Sequence, residues 1–223
     1  LRPNLVTYNV CLDAWARSRH PNAPEKVEAL FNELVQSGLK PDVISYLSRI
    51  SVWTRSRGRD SDVAPTRAAG VLEEMLRSGD PESYPSAPHY QAVLACWSRY
   101  GNAVRAQDLL DRMLQDYFVG RKEKSAPGRY AFHLVLAAWS RQRTVFAAKQ
   151  CEDLLNQMKK LAGQLDVQPD VVSHNICIGA WAKTESKEAF ERAEALLQRM
   201  RDDGLSPDKI TFSTLLGALT YSP

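Results

Sequence analysis

Two neighbouring stretches, LVTYNVCLDAWAR (5–17) and EKVEALFNELVQSGLKPD (25–42), decide the fold. In the first, Tyr8, Leu12 and Trp15 are spaced four and three residues apart, close to whole helical turns, so they share one face of a helix. In the second, Val27, Leu30, Phe31 and Leu34 follow the i, i+3, i+4, i+7 pattern of an amphipathic helix. Gly38 and Pro41 then stop it, because glycine accepts the left-handed stop conformation and proline cannot continue a helix. The product is a helical hairpin with an apolar face that it cannot bury alone.

The same pair of patterns returns along the chain. Trp15, Trp53, Trp97, Trp139 and Trp181 lie 38, 44, 42 and 42 residues apart, in the range of helical-hairpin arrays. The second stripe recurs as Ala68, Val71, Leu72 and Met75; Ala106, Leu109, Leu110 and Met113; Cys151, Leu154, Leu155 and Met158; and Ala193, Leu196, Leu197 and Met200. All four methionines of the chain occupy its last position. Pro41, Pro85, Pro127, Pro169 and Pro207 mark the ends. Repeats therefore run 5–42, 43–86, 87–128, 129–170 and 171–208, followed by a partial repeat at 209–223, with residues 1–4 closing a preceding one. Each tryptophan is the eleventh residue of its repeat and is expected to wedge between neighbouring hairpins as a core residue. The competing use of the indoles is a stacking platform for bases. Extra length falls in RSRGRDSDVAP (55–65) and DYFVGRKEKSAP (116–127), which are expected to be surface loops.

Composition narrows the functional classes. At 223 residues and 44% hydrophobic, the chain can bury a core. No apolar run is long enough to cross a membrane, so no membrane partner is expected. Net charge is +3, from 29 basic and 26 acidic residues, so any attraction for nucleic acid must come from placement. Cys11, Cys96, Cys151 and Cys177 lie in helical patterns without C-x-x-C pairing, which points to reduced, buried thiols and no zinc site.

The first and fifth repeats resemble pentatricopeptide repeats: V-T-Y-N and V-S-H-N open the first helices, A-L-F-x-x-L and A-L-L-x-x-M lie in the second, and G-L-K-P-D and G-L-S-P-D close them. The middle three are looser and longer. This resemblance implies an all-α, right-handed α-solenoid of helix-turn-helix repeats, about five full and one partial, that binds single-stranded RNA at about one base per repeat. It further implies base selection by the fifth and last residues of each repeat: Asn9 with Asp42, Leu47 with Ser86, Gln91 with Gly128, His133 with Asp170, Asn175 with Asp208, and Ser213 in the partial repeat. Asparagine with aspartate implies uracil, hence uracil at repeats one and five separated by three unassigned bases. Leu47 carries no hydrogen-bonding group and Gly128 no side chain, so repeats two and three depart from the pattern. Second residues, which the resemblance casts as sandwiching the base, are Val6, Ile44, Pro88, Tyr130, Val172 and Ile210.

Charge supplies a separate signal. The thirteenth residue of each repeat is Arg17, Arg55, Arg99, Arg141 or Lys183, a cation in every one. Such a ladder suits a phosphate backbone, and it also suits the negative end of the first helix; both readings can hold together. No glycine-rich phosphate loop, G-x-S-x-G or H-E-x-x-H occurs, and His89, His133 and His174 fall in different repeats, so neither catalysis nor a cofactor or metal is expected. The partners expected are single-stranded RNA and, in a second reading suggested by the irregular middle repeats, proteins of an organellar ribonucleoprotein such as a mitoribosome. The resemblance implies a mitochondrial or plastid location and a role in RNA processing, stability or translation.

Overall fold

A computed structural model describes residues 2–18, 20–55, 63–120 and 123–219. The described residues form eleven α-helices, one 3-10 turn and no strand. First helices of the repeats are α1 (Leu5–Arg17), α3 (Val43–Arg55), α5 (Ala87–Tyr100), α7 (Arg129–Ser140), α9 (Val171–Ala182) and α11 (Lys209–Leu219). Second helices are α2 (Ala23–Gln36), α4 (Val63–Ser78), α6 (Ala103–Phe118), α8 (Val145–Leu161) and α10 (Ala189–Asp202).

Local chemistry sets the helix ends. The Asn4 side chain accepts the Thr7 N–H at 2.9 Å, and Thr144 accepts the Ala147 N–H at 3.1 Å, each satisfying an orphan donor of a first turn. Gly38 and Gly204 follow α2 and α10 at φ +82° and +76°, the left-handed stop that a Cβ would penalise.

The chain divides into two compact units, one of residues 1–100 with 115–126, the other of residues 101–114 with 127–223. In the first unit, α3 packs on both α1 and α2, and α5 packs on both α3 and α4. In the second, α9 packs on α7 and α8, and α11 on α9 and α10. One rule covers both units: a first helix seats on both helices of the hairpin before it. The second-helix stripe fills the interior, and all four methionines are fully covered; only Leu30 and Leu109 of the stripe keep partial exposure. At about 25 cal/mol per Å² of apolar surface buried, these stripes stabilise the fold together with first-helix residues such as Leu12, Leu94, Leu136 and Ile178.

The inserts differ from the loops expected of them. Residues 56–62 and 121–122 lie outside the described residues. Val63 to Pro65 are helical, with Ala64 and Pro65 buried in the first turn of α4, where proline costs nothing because its missing N–H has no partner there anyway. Asp116 to Phe118 continue α6, and Glu123–Ser125 forms the 3-10 turn, with Ser125 buried. Cys11 also departs from expectation: it is exposed on α1, whereas Cys96, Cys151 and Cys177 are buried, and all four are free thiols. Burial pushes the Cys96 thiol up to about 11, so it stays protonated and behaves as a small apolar group.

Candidate functional site

Where α1 meets α3, the amide of Asn9 is held on both sides. Its Nδ2 donates to Asp42 Oδ1 at 3.1 Å and Oδ2 at 3.0 Å, while the Ser45 hydroxyl donates to its Oδ1 at 2.6 Å. Asp42 precedes α3 and accepts the main-chain N–H of Ser45 at 2.9 Å, and its own N–H reaches Ser45 Oγ at 3.3 Å. That reciprocal cap fixes the carboxylate before the amide meets it. Burial pushes the Asp42 carboxyl up, but the hydrogen bonds from Ser45, Asn9 and Ile44 outweigh it and hold Asp42 below the usual carboxylate range. It is therefore an acceptor at neutral pH.

The α9–α11 junction has the same arrangement. Asn175 Nδ2 donates to Asp208 Oδ1 at 3.1 Å, and Thr211 Oγ1 donates to Asn175 Oδ1 at 2.6 Å. The Thr211 N–H donates to Asp208 Oδ1 at 2.7 Å, and this bond, with that from Asn175, keeps Asp208 low. An amide has two N–H donors and two acceptor lone pairs. With one N–H on the aspartate and one lone pair on the hydroxyl, each asparagine keeps one donor and one acceptor, the pair needed to meet the edge of a base.

Other junctions are built differently. At α3–α5, Leu47 offers no polar group, and Ser86 pairs with His89, whose Nδ1 lies 2.9 Å from Ser86 Oγ and whose Nε2 lies 2.8 Å from the Val43 carbonyl. A carbonyl only accepts, so Nε2 carries the proton and Nδ1 takes the Ser86 hydroxyl. Burial pushes the His89 pKa down, which keeps the ring neutral. At α7–α9, His133 Nε2 lies 3.0 Å from Asp170 Oδ1, and Arg129 approaches the other carboxylate oxygen at 3.6 Å. Gln91 is half-buried on α5; Gly128, with an extended backbone, precedes α7 and presents no side chain. Ser213 donates to the Ile210 carbonyl of its own helix at 3.0 Å.

Second residues share one property: Val6, Ile44, Pro88, Tyr130, Val172 and Ile210 are all exposed. Exposed apolar side chains at a fixed register offer surfaces on which a base could stack. Residue thirteen lies eleven positions further on, within about 20° of the same stripe and about 16 Å along the helix. Arg17, Arg55, Arg99, Arg141 and Lys183 are all exposed there. Arg17 pairs with Asp13 one turn back at 2.9 Å. Arg55 donates to the Ala16 carbonyl at 3.3 Å, and Arg99 donates to the Thr54 carbonyl. These two guanidiniums cap the preceding repeat's first helix, not their own, and so tie neighbouring repeats together.

The indoles also have partners that sequence reasoning missed. Trp53 Nε1 donates to Glu28 at 3.4 Å, Trp139 Nε1 to Gln107 at 3.3 Å, and Trp181 Nε1 to Glu152 at 2.6 Å. Each acceptor follows the first stripe residue of the preceding second helix. Ala69 holds that place before Trp97, so Trp97 is packed without this bond. Trp97, Trp139 and Trp181 are buried, but Trp15 and Trp53 stay partly exposed, so the wedge is tighter in the later repeats. Ser45 and Thr211 were missed as well. Their signal was D-x-x-[ST], legible in DVIS (42–45) and DKIT (208–211) as a helix cap.

Within each unit, hairpins that seat the next first helix on both of their own helices are the repeating element of an α-solenoid of helix-turn-helix repeats. A profile of the PPR repeat family matches residues 169–220. One pentatricopeptide repeat-containing protein of Arabidopsis thaliana is 41% identical over 56 residues, covering 25% of this chain and 10% of that protein. A second from the same plant is 26% identical over 113 residues, 49% of this chain and 16% of the relative. Among solved structures, the pentatricopeptide repeat protein PPR10 from maize aligns over 97% of this chain and 32% of its own, with a TM-score of 0.57 and 25% identity. PPR10 in complex with an 18-nt psaJ RNA element aligns over 98% of this chain and 33% of its own, with a TM-score of 0.52 and 18% identity. Residues 169–220 thus match the PPR repeat family, and the fold of the described residues is similar to that of PPR10. The chain spans 10% and 16% of the two curated relatives and about a third of PPR10.

Proposed function

We propose that the chain binds single-stranded RNA along its first helices, at about one base per repeat. Asn9 and Asn175 select uracil, with Asp42 and Asp208 behind them. Carrying this reading is the recurrence of one amide–carboxylate–hydroxyl arrangement at the α1–α3 and α9–α11 junctions, beside exposed apolar side chains at the second residues. The RNA complex of PPR10 supports it through the shared fold. Uracil fits because it offers an N–H donor between two carbonyl acceptors to the one acceptor and one donor each amide retains. Stacking against Val6, Val172 and their counterparts holds the base without reading it.

The role is binding without catalysis: the buried imidazoles of His89 and His174 are tied into helix caps, on the Val43 and Asp170 carbonyls. A mitochondrial or plastid location, and work in RNA processing, stability or translation, follow from the family resemblance. A second reading, docking of ribonucleoprotein proteins, is favoured by the α3–α5 junction, where Ser86 is consumed by His89 and Leu47 reads nothing.

Replacing Arg17, Arg99 and Arg141 together by glutamine tests the RNA reading. Affinity should fall for every sequence, and the slope of log K against log salt should flatten by about 0.7 for each phosphate no longer neutralised. Asn9→Ala should change uracil preference alone. A triple variant that binds RNA as its parent does across salt concentrations would remove the phosphate ladder.

A further inference from the structure

The amides of Asn9 and Asn175 are fixed partly by a residue of the following repeat. At the α1–α3 junction, Asp42 Oδ1 already receives the N–H of Ser45 at 2.9 Å, the N–H of Ile44 at 3.1 Å and Asn9 Nδ2 at 3.1 Å. The Ser45 hydroxyl has a single proton. Two oxygens are in reach: this crowded carboxylate oxygen at 2.9 Å and Asn9 Oδ1 at 2.6 Å. An oxygen with three donors has little lone-pair capacity left, whereas the hydroxyl is the donor that reaches Asn9 Oδ1. The shorter contact takes the proton. At the α9–α11 junction the balance is the same, with Thr211 Oγ1 at 2.9 Å from Asp208 Oδ1 and 2.6 Å from Asn175 Oδ1.

The chain contains its own control. At the α7–α9 junction the fifth residue is His133, whose Nε2 faces Asp170 and offers the hydroxyl no amide oxygen. There Ser173, at the same register as Ser45, donates to the Asp170 main-chain carbonyl at 2.8 Å. Where an amide is present the hydroxyl turns to it; where none is present it stays on its own cap.

Resting on the RNA-binding reading, we infer that Ser45 and Thr211 are positioning residues for base selection, so that the selective element is a triad drawn from two successive repeats. The carboxylate alone decides which end of the amide carries nitrogen, but it leaves the plane free to pivot about the Nδ2 bonds. The hydroxyl pins Oδ1, and with it the direction of the remaining lone pair that meets the uracil N3–H. Base choice by one repeat then depends on the third residue of the next.

The test uses the full chain with three oligonucleotides from a random-pool selection, carrying uracil, cytosine or an abasic site opposite the first repeat. Ser45→Ala should lower the uracil-to-cytosine affinity ratio about fivefold, one hydrogen bond's worth, and leave affinity for the abasic RNA within about twofold. Ser45→Thr should restore the ratio, and Thr211→Ala should act only on the base opposite the fifth repeat. An unchanged ratio in Ser45→Ala, or an equal loss on all three oligonucleotides, would overturn the inference, the second outcome making Ser45 a folding residue only. A parent chain that bound none of the three would sink the RNA reading itself, and base selection with it. An RNA-free measurement separates the two failures: side-chain 15N relaxation of Asn9 should show reduced order in Ser45→Ala and retained order in Ser45→Thr, and equal order in both would overturn the positioning role on its own.

Discussion

The α1–α3 and α3–α5 junctions occupy the same register and reach opposite outcomes. Both place a polar residue just before a first helix and a partner three residues on: Asp42 with Ser45, Ser86 with His89. In the first pair a carboxylate and a small hydroxyl leave capacity over, which the Asn9 amide takes up while keeping one donor and one acceptor of its own. In the second, the imidazole is long enough to span from Ser86 to the Val43 carbonyl and spends both nitrogens doing so. Helix-cap chemistry thus decides whether a junction offers a hydrogen-bonding edge or closes it.

Removing the cap should separate the two most sharply. Asp42→Ala strips an N-terminal cap from α3 and leaves Asn9 Nδ2 without its acceptor, so urea titration should show stability reduced by about 1–2 kcal/mol, and competition binding should show uracil preference at the first repeat reduced about tenfold. Ser86→Ala should cost no more than about 1 kcal/mol and leave base preference unchanged. Converting the closed junction is the next largest effect. Leu47→Asn with Ser86→Asp and His89→Ser rebuilds the triad, and a uracil preference of about fivefold should appear at the second repeat; none would mean that backbone placement differs between the junctions.

Acid should distinguish the junctions more gently. The neutral, buried His89 and His174 refuse a proton that the unfolded chain accepts near pH 6.5, so stability present above that value is lost as pH falls below it. Asp42, held low, keeps its contribution until pH drops below about 4. Urea midpoints should therefore decline between pH 7 and 5 in the parent, less steeply in His89→Ser, and with the parent's slope in Asp42→Asn. Smallest of all, Arg55→Gln should lower Tm by about 2 °C or less by removing the hydrogen bond to the Ala16 carbonyl. Arg17→Gln, whose partner Asp13 lies on its own exposed helix face, should barely move it.

Much of the fold was legible because its causes are local. Stripe spacing, the glycine and proline stops and the eleventh-residue indoles each act within one hairpin, and the burial of Met75, Met113, Met158 and Met200 follows from that periodicity. Cys11 escaped because a helical pattern gives a residue's angle about the axis, not what covers that angle. The arginines escaped for a similar reason: a cation near a helix end reads as serving its own helix, yet Arg55 and Arg99 reach back to the helix before.

By itself the sequence determined the hairpins, their ends and the residue types available at each register, since these depend on contacts within a few turns. Only tertiary structure decided which indoles found acceptors, where the Ser45 and Thr211 protons go, and which junctions stay open. Those bonds join groups 25 to 46 residues apart in the chain. Until stacked helices bring such groups within about 3 Å, a hydrogen bond has neither length nor direction, and the same residues carry no preference for one partner over another.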